Sequence, residues 1–151
     1  MDNIDIKLIR HLAEDASQTA SSLVSKLNLS VPAINKRIAK LREEGIIRKE
    51  TILTDSRKVG KSVTAYLLIV LEHFDTSDEL LKIVEADPDI LECYAISGEY
   101  DYILKVCAES IDALEDKLLV MKKKGIAKSN TMFTLREYKF EPTALPDNKE
   151  E

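Results

Sequence analysis

Apolar and polar positions along the first third of the chain recur with a helical period. Ile4, Leu8, Ile9 and Leu12 share one face of a first amphipathic helix, which Asp2 or Asn3 caps and which fades at Glu14 and Asp15. Leu23, Val24 and Leu27 mark a second helix starting from about Thr19, a suitable N-cap. Ile34, Ile38 and Leu41 mark a third. Ser30 offers its N-cap, Pro32 lies in its first turn where a missing N–H costs nothing, and Gly45 can close its far end. Only Asn28, Leu29 and Ser30 separate the second helix from the third, and two short helices joined by so tight a turn make a helix-turn-helix. A plain structural bundle is the competing reading. Residues 46–53 (IIRKETIL) look β-forming and are expected to make a small wing that carries Arg48 and Lys49 toward phosphates.

Past residue 60 the pattern changes. Residues 63–72 are strand-like, with AYLLIVL as the longest apolar run; 76–86 is helical through Leu80, Leu81, Ile83 and Val84; and Asp87-Pro88-Asp89 breaks that helix. Residues 90–97 form a strand, Gly98-Glu99 a turn and 100–108 a further strand. Ser110 then caps a helix through Leu114, Leu118 and Met121 that Gly125 ends, and 130–140 is a last strand. The order βαββαβ is the ferredoxin-like plan, which places its helices on one face of the sheet. Strands apolar at both parities require the other face to be covered too, as in a dimer. The expected class is α+β. A winged helix-turn-helix occupies 1–54, a polar hinge 55–62 (DSRKVGKS), a βαββαβ domain 63–141, and a flexible acidic tail 142–151 (PTALPDNKEE).

Charge divides the chain at the same place. Residues 1–60 hold 11 Lys/Arg against 8 Asp/Glu, a net of +3, whereas the whole chain is −5 and the remainder therefore −8. On the third helix Lys36 and Lys40 lie nearly opposite the apolar stripe and Arg37 on its flank. A helix anchored on one side and cationic on the other suits the DNA major groove, although a solvated helix face has the same pattern. Arg37 also suits an ion pair with a neighbouring acid.

Other chemistry is sparse. His11 and His73 are far apart and lack metal-type partners, and the sequence has no Gly-rich phosphate loop, HExxH or GxSxG. Cys93 and Cys107 fall on consecutive strands of an expected hairpin and are expected nearly opposite one another as packed thiols. Catalysis, a cofactor and a metal are not expected. The first residues show no basic stretch followed by an apolar one, so the expected compartment is the cytoplasm.

Helix-turn-helix, hinge and βαββαβ in this order resemble the Lrp/AsnC, or feast/famine, family of transcriptional regulators over nearly the whole chain. The segments carrying the resemblance are IDIKLIRHL, LSVPAINKRIAKLREEGII, TDSRKVG and SGEYDYILKV. It implies a DNA-binding domain joined to a small-ligand-sensing domain that dimerises and commonly assembles to octamers, with amino acids or related metabolites as effectors. Carried onto this sequence, the family's reading helix spans 30–42. Ser30, Val31 and Ala33 lie at the end entering the groove, Asn35 is placed to pair with adenine, Arg37 with guanine or phosphate, and Lys36 and Lys40 with phosphates.

The family's effector pocket lies between subunits, near the turn made here by Ser97, Gly98, Glu99, Tyr100 and Asp101. Gly98 lets a ligand approach the backbone, Asp101 can accept an α-ammonium and Tyr100 offers an apolar wall. Thr131 and Thr134 match positions on the last strand that offer hydroxyl or backbone groups. The same turn can equally be a plain hairpin that Asp101 caps. Three functions follow: an effector-responsive transcription regulator, an effector-blind architectural protein on DNA, and an amino-acid-sensing subunit of an enzyme.

Overall fold

The computed structural model describes residues 1–73 and 77–147. It divides into two compact units, Met1–Leu53 together with Lys139–Glu151, and Thr54–Tyr138.

The first unit is built on α1 (Asn3–Glu14), α2 (Ala20–Leu27) and α3 (Val31–Glu43). Leu8, Leu23, Leu27, Ile34 and Leu41 are buried together at the centre, with Ile9, Leu12, Val24 and Ile38 packed around them. Each such side chain contributes about 1.5–3 kcal/mol on leaving water. Asp2 and Asp5 form a capping box at the start of α1, and the Thr19 hydroxyl accepts from the Ser22 N–H at the start of α2. Asn28 adopts a left-handed conformation (φ 52°) that ends α2.

Ser30 stands at the N-cap of α3, but its side chain makes no capping hydrogen bond. At the other end Ile46 N–H donates to the Leu41 carbonyl and Gly45 N–H to Arg42, with Gly45 at φ +71°. This is a Schellman stop, which a residue with a Cβ would strain. Residues 46–53, expected to be β-forming, carry no strand pairing in the described structure. One such run has no second strand to pair with. Its start is anchored by Ile47, which packs against the core and donates its N–H to the Leu41 carbonyl, and Glu50 pairs with Arg42 at 2.5 Å on the surface.

Also in this unit, the Arg10 guanidinium donates to the Pro146 carbonyl at 2.8 Å. No apolar periodicity in the tail announces that contact, and residues 148–151, the end of the expected flexible segment, lie outside the described residues.

The second unit follows the order β1 (Val63–Leu71), α4 (Ser77–Ala86), β2 (Ile90–Ala95), β3 (Tyr102–Ala108), α5 (Ile111–Lys122) and β4 (Ile126–Phe133). The strands form one antiparallel sheet in the order β2-β3-β1-β4, the ferredoxin-like arrangement. Thr76, the expected first residue of α4, lies outside the described residues. Ala65, Leu67, Ile69 and Leu71 alternate onto the helix side, where they meet Leu104, Val106, Leu80, Leu114 and Met121 in one core.

The last strand is displaced from its expected span of 130–140. It begins at Ile126, which pairs with Leu71 across a bulge, and its ladder ends where Phe133 faces Ala65. The Thr134 N–H makes a further bond to the Thr64 carbonyl; beyond it Leu135 and Tyr138 are 91% and 87% exposed. A strand runs only as far as its neighbour, and β1 starts at Val63. The cysteines are likewise not opposite one another: Cys93 faces Leu104, and Cys107 faces Thr64. Both are free, and burial pushes the Cys93 thiol up.

Candidate nucleic-acid interface and effector site

On α3 the apolar stripe fixes which residues face outward. Ser30, Asn35, Lys36 and Lys40 are exposed, while Val31, Ala33 and Arg37 are half-buried. Because Ser30 Oγ makes no capping bond, it stands free beside the N–H groups of the first turn, an arrangement suited to a phosphate. Lys36 makes no ion pair among the described residues, and Lys40 lies 3.6 Å from Glu44.

An open groove of about 530 Å³ runs along Lys36, Lys40, Ala33 and Arg37 on α3 and Met1, Asp2 and Asp5 at the start of α1. Arg37 does not project from it freely. Its Nη1 lies 2.6 Å from Asp5 Oδ1 and 2.8 Å from Asp2 Oδ2. The two carboxylates hold the guanidinium's pKa above its ordinary value, and the Asp5 backbone N–H and Arg37 hold the Asp2 carboxyl below its own. Of the two roles open to Arg37 from sequence, the structure displays the ion pair. Asp5 is the residue sequence reasoning passed over, and Asp2 was read there only as a helix cap. The available signal was an acid, Asp5, lying in phase with Leu8, Ile9 and Leu12 on a buried helix face.

In the second unit the expected effector residues separate into two groups. Ser97, Gly98, Tyr100 and Asp101 share the β2–β3 connection. Gly98 has φ +117°, and nothing stands within 4 Å of the place a Cβ would occupy, so backbone conformation rather than crowding requires glycine. Asp101 stitches this connection to β1. Its N–H donates to the Ile69 carbonyl, its carbonyl accepts from Ile96 N–H, and its Oδ2 accepts from Leu71 N–H, each at 2.9 Å. Tyr100 is half-buried, with Lys128 Nζ 5.3 Å from the ring centroid.

Thr131 faces Leu67 across the β1–β4 ladder, and the Thr134 hydroxyl donates to the Thr64 carbonyl at 3.0 Å. Thr64 and Leu71 are at opposite ends of β1, roughly 23 Å apart at the rise of an extended strand. A single chain therefore does not bring Thr134 and Asp101 to one ligand.

The two units define a class: a helix-turn-helix whose third helix exposes Lys36 and Lys40, followed by a ferredoxin-like domain. Residues 1–48 match a winged helix-turn-helix DNA-binding family, and residues 64–144 match the Lrp/AsnC ligand binding domain. The chain belongs to the Lrp/AsnC family of DNA-binding transcriptional regulators, with a small-molecule-binding domain after its helix-turn-helix.

It is 34% identical to the glutamate uptake regulatory protein of Zymomonas mobilis, over 97% of this chain and 90% of that protein. Among solved structures it resembles an AsnC family transcriptional regulator from Agrobacterium tumefaciens, with 29% identity, TM-score 0.86, and 95% and 96% of the two chains covered. It also resembles the leucine response regulatory protein LrpA of Mycobacterium tuberculosis, with 26% identity, TM-score 0.86, and 97% and 100% covered. These relatives are regulators rather than enzymes. No helix among the described residues is long and apolar enough to cross a membrane.

Proposed function

We propose that this chain is a cytoplasmic transcription regulator without catalytic activity. In this reading α3 enters the major groove of double-stranded DNA, and the βαββαβ domain senses an amino acid. The observation that carries the reading is the exposed face of α3, where Lys36 makes no ion pair among the described residues and the Ser30 hydroxyl makes no capping bond, on a helix whose other side is locked into a buried core. Val31, Ala33 and Asn35 supply the contacts nearest the bases, and Ser30, Lys36 and Lys40 hold phosphates.

The effector reading rests on the open backbone around Gly98 and on relatives whose names tie them to glutamate uptake and to the leucine response. Asp101 already accepts one backbone N–H, which leaves Oδ1 for a ligand ammonium. Ser97, Gly98, Tyr100 and Asp101 form one wall of the pocket, and Thr131 and Thr134 belong to the wall offered to a second copy. The separation of Thr134 from Asp101 along β1 supports that division.

A second copy also covers the sheet face without helices, where Leu68 and Ile103 are half-buried and Tyr94 and Met132 are 57% and 44% exposed. A homodimer able to assemble to an octamer fits this arrangement. An effector-blind architectural protein shares every feature except a working pocket. Isothermal titration of each common amino acid into the full chain separates the two. Saturable heat with one of them is expected, and its absence with all of them would favour the architectural reading.

A further inference from the structure

We infer that Arg37 is a positioning residue: clamped by Asp2 and Asp5, it sets how α3 lies on DNA and does not itself touch the duplex. This rests on the DNA-binding reading above.

All four carboxylate oxygens of the clamp are in use. Asp2 Oδ1 accepts the Asp5 N–H at 2.8 Å, and Asp5 Oδ2 accepts the Asp2 N–H at 3.0 Å. The remaining oxygens, Asp2 Oδ2 and Asp5 Oδ1, both take Arg37 Nη1. The Asp5 side chain is 8% exposed and that of Arg37 is 28% exposed, which sets this pair apart from an ordinary surface ion pair. Moving Arg37 to a phosphate would leave a buried carboxylate without its counter-charge, a heavy penalty. The capping box makes the acids part of α1, so the clamp ties the start of α1 to the middle of α3.

Its position explains why that matters. Arg37 lies two residues after Asn35 on α3, so fixing Arg37 fixes the roll that aims the short Asn35 side chain at a base, while the flexible stems of Lys36 and Lys40 can follow a phosphate. A roll of about 20° moves a side chain at a radius of 5–6 Å by roughly 2 Å, more than a hydrogen bond tolerates.

The test uses the full chain, an operator duplex selected from a random library and a random-sequence duplex. Binding is measured by fluorescence anisotropy at several salt concentrations, at a temperature where circular dichroism shows every variant folded. Arg37→Met and Asp5→Asn are each expected to lower operator affinity about tenfold, the effect of one lost base contact. The double variant should be no worse than either single one, because the two act as a unit. Random-duplex affinity and its salt slope should stay unchanged.

A phosphate-contacting Arg37 gives the opposite sign: Asp5→Asn would then raise affinity for both duplexes, and Arg37→Met would flatten the slope by about one. Operator affinity unchanged in all variants would reduce the clamp to fold stability alone. Either result overturns the inference. If Asp5→Asn does not fold, Asp2→Asn, at the exposed end of the clamp, serves for the same comparison. Wild-type chain that shows no preference for any duplex would remove the DNA-binding reading itself, an outcome distinct from a sign reversal in the variants.

Discussion

Lys36→Ala isolates one charge on the reading helix. Lys36 is exposed and makes no ion pair among the described residues, so its removal disturbs no internal partner. A lysine on a phosphate releases close to one condensed counterion, and the slope of log K against log[salt] should become shallower by about 0.9 per contact. Between 50 and 200 mM salt the affinity gap between wild type and variant should shrink about 3.5-fold for one contact. For a dimer placing two reading helices on one operator, the shrinkage should be about 12-fold. Lys40 should behave differently, because Glu44 lies 3.6 Å away and already neutralises part of its charge. Lys40→Ala is expected to change the slope less, and Glu44→Gln to raise affinity by releasing Lys40. Anisotropy titrations of a labelled operator over a salt series measure all three. A Lys36→Ala slope identical to wild type would place the lysine outside the interface and refute the assignment of this helix face to phosphate.

Three further outcomes follow from the second unit. Asp101→Ala leaves the Leu71 N–H without its acceptor and is expected to cost about 1–3 kcal/mol in a denaturant melt. Asp101→Asn keeps an acceptor and should stay near wild type; equal losses would mean that the carboxylate charge, not the bond, is what matters. Burial pushes the Asp89 carboxyl up, but Lys61 at 2.7 Å and Lys117 at 3.1 Å outweigh it and hold the group below its ordinary 3.8. Burial likewise lowers Lys117, while Asp87 and Asp89 outweigh it and hold the ammonium above 10.5. The acid's contribution is present above pH 3.8 and lost as pH falls through the folded value; the lysine's is present below 10.5 and lost as pH rises through its own. Thermal melts of Lys117→Met should therefore show a lower plateau between those limits and a shallower acid limb, and an acid limb unchanged from wild type would contradict the network. Finally, Leu68→Lys puts a charge on the sheet face without helices while sparing the helix-side core, and should lower the mass seen by light scattering. A mass equal to wild type would place the interface elsewhere.

Most of the architecture was legible because it follows from periodicity and punctuation. The step from a 3.6-residue period to alternation near residue 63, the breaks at Gly45 and Asp87-Pro88-Asp89, and the caps at Asp2, Thr19 and Ser110 all express local preferences. What escaped depends on distant partners. The end of β4 at Phe133 is set by where β1 begins, not by anything within 134–140. Residues 46–53 have strand composition without a second strand. Arg37 was legible as a cation on the flank of a helix, but its pairing with Asp2 and Asp5 needed the packing of α1, which buries Asp5. The separation of Asp101 from Thr134 along β1 is likewise a matter of register, which a list of matching positions does not contain.

In the proposed function one small molecule governs an assembly whose reading helices act in pairs. Multi-angle light scattering of the full chain on its selected operator, while each common amino acid is titrated in, reads both the pairing and the response. The account expects an even multiple of the 17.0 kDa chain that one amino acid stabilises or redistributes. A single 17.0 kDa chain on the operator, or an assembly indifferent to every amino acid, would contradict it.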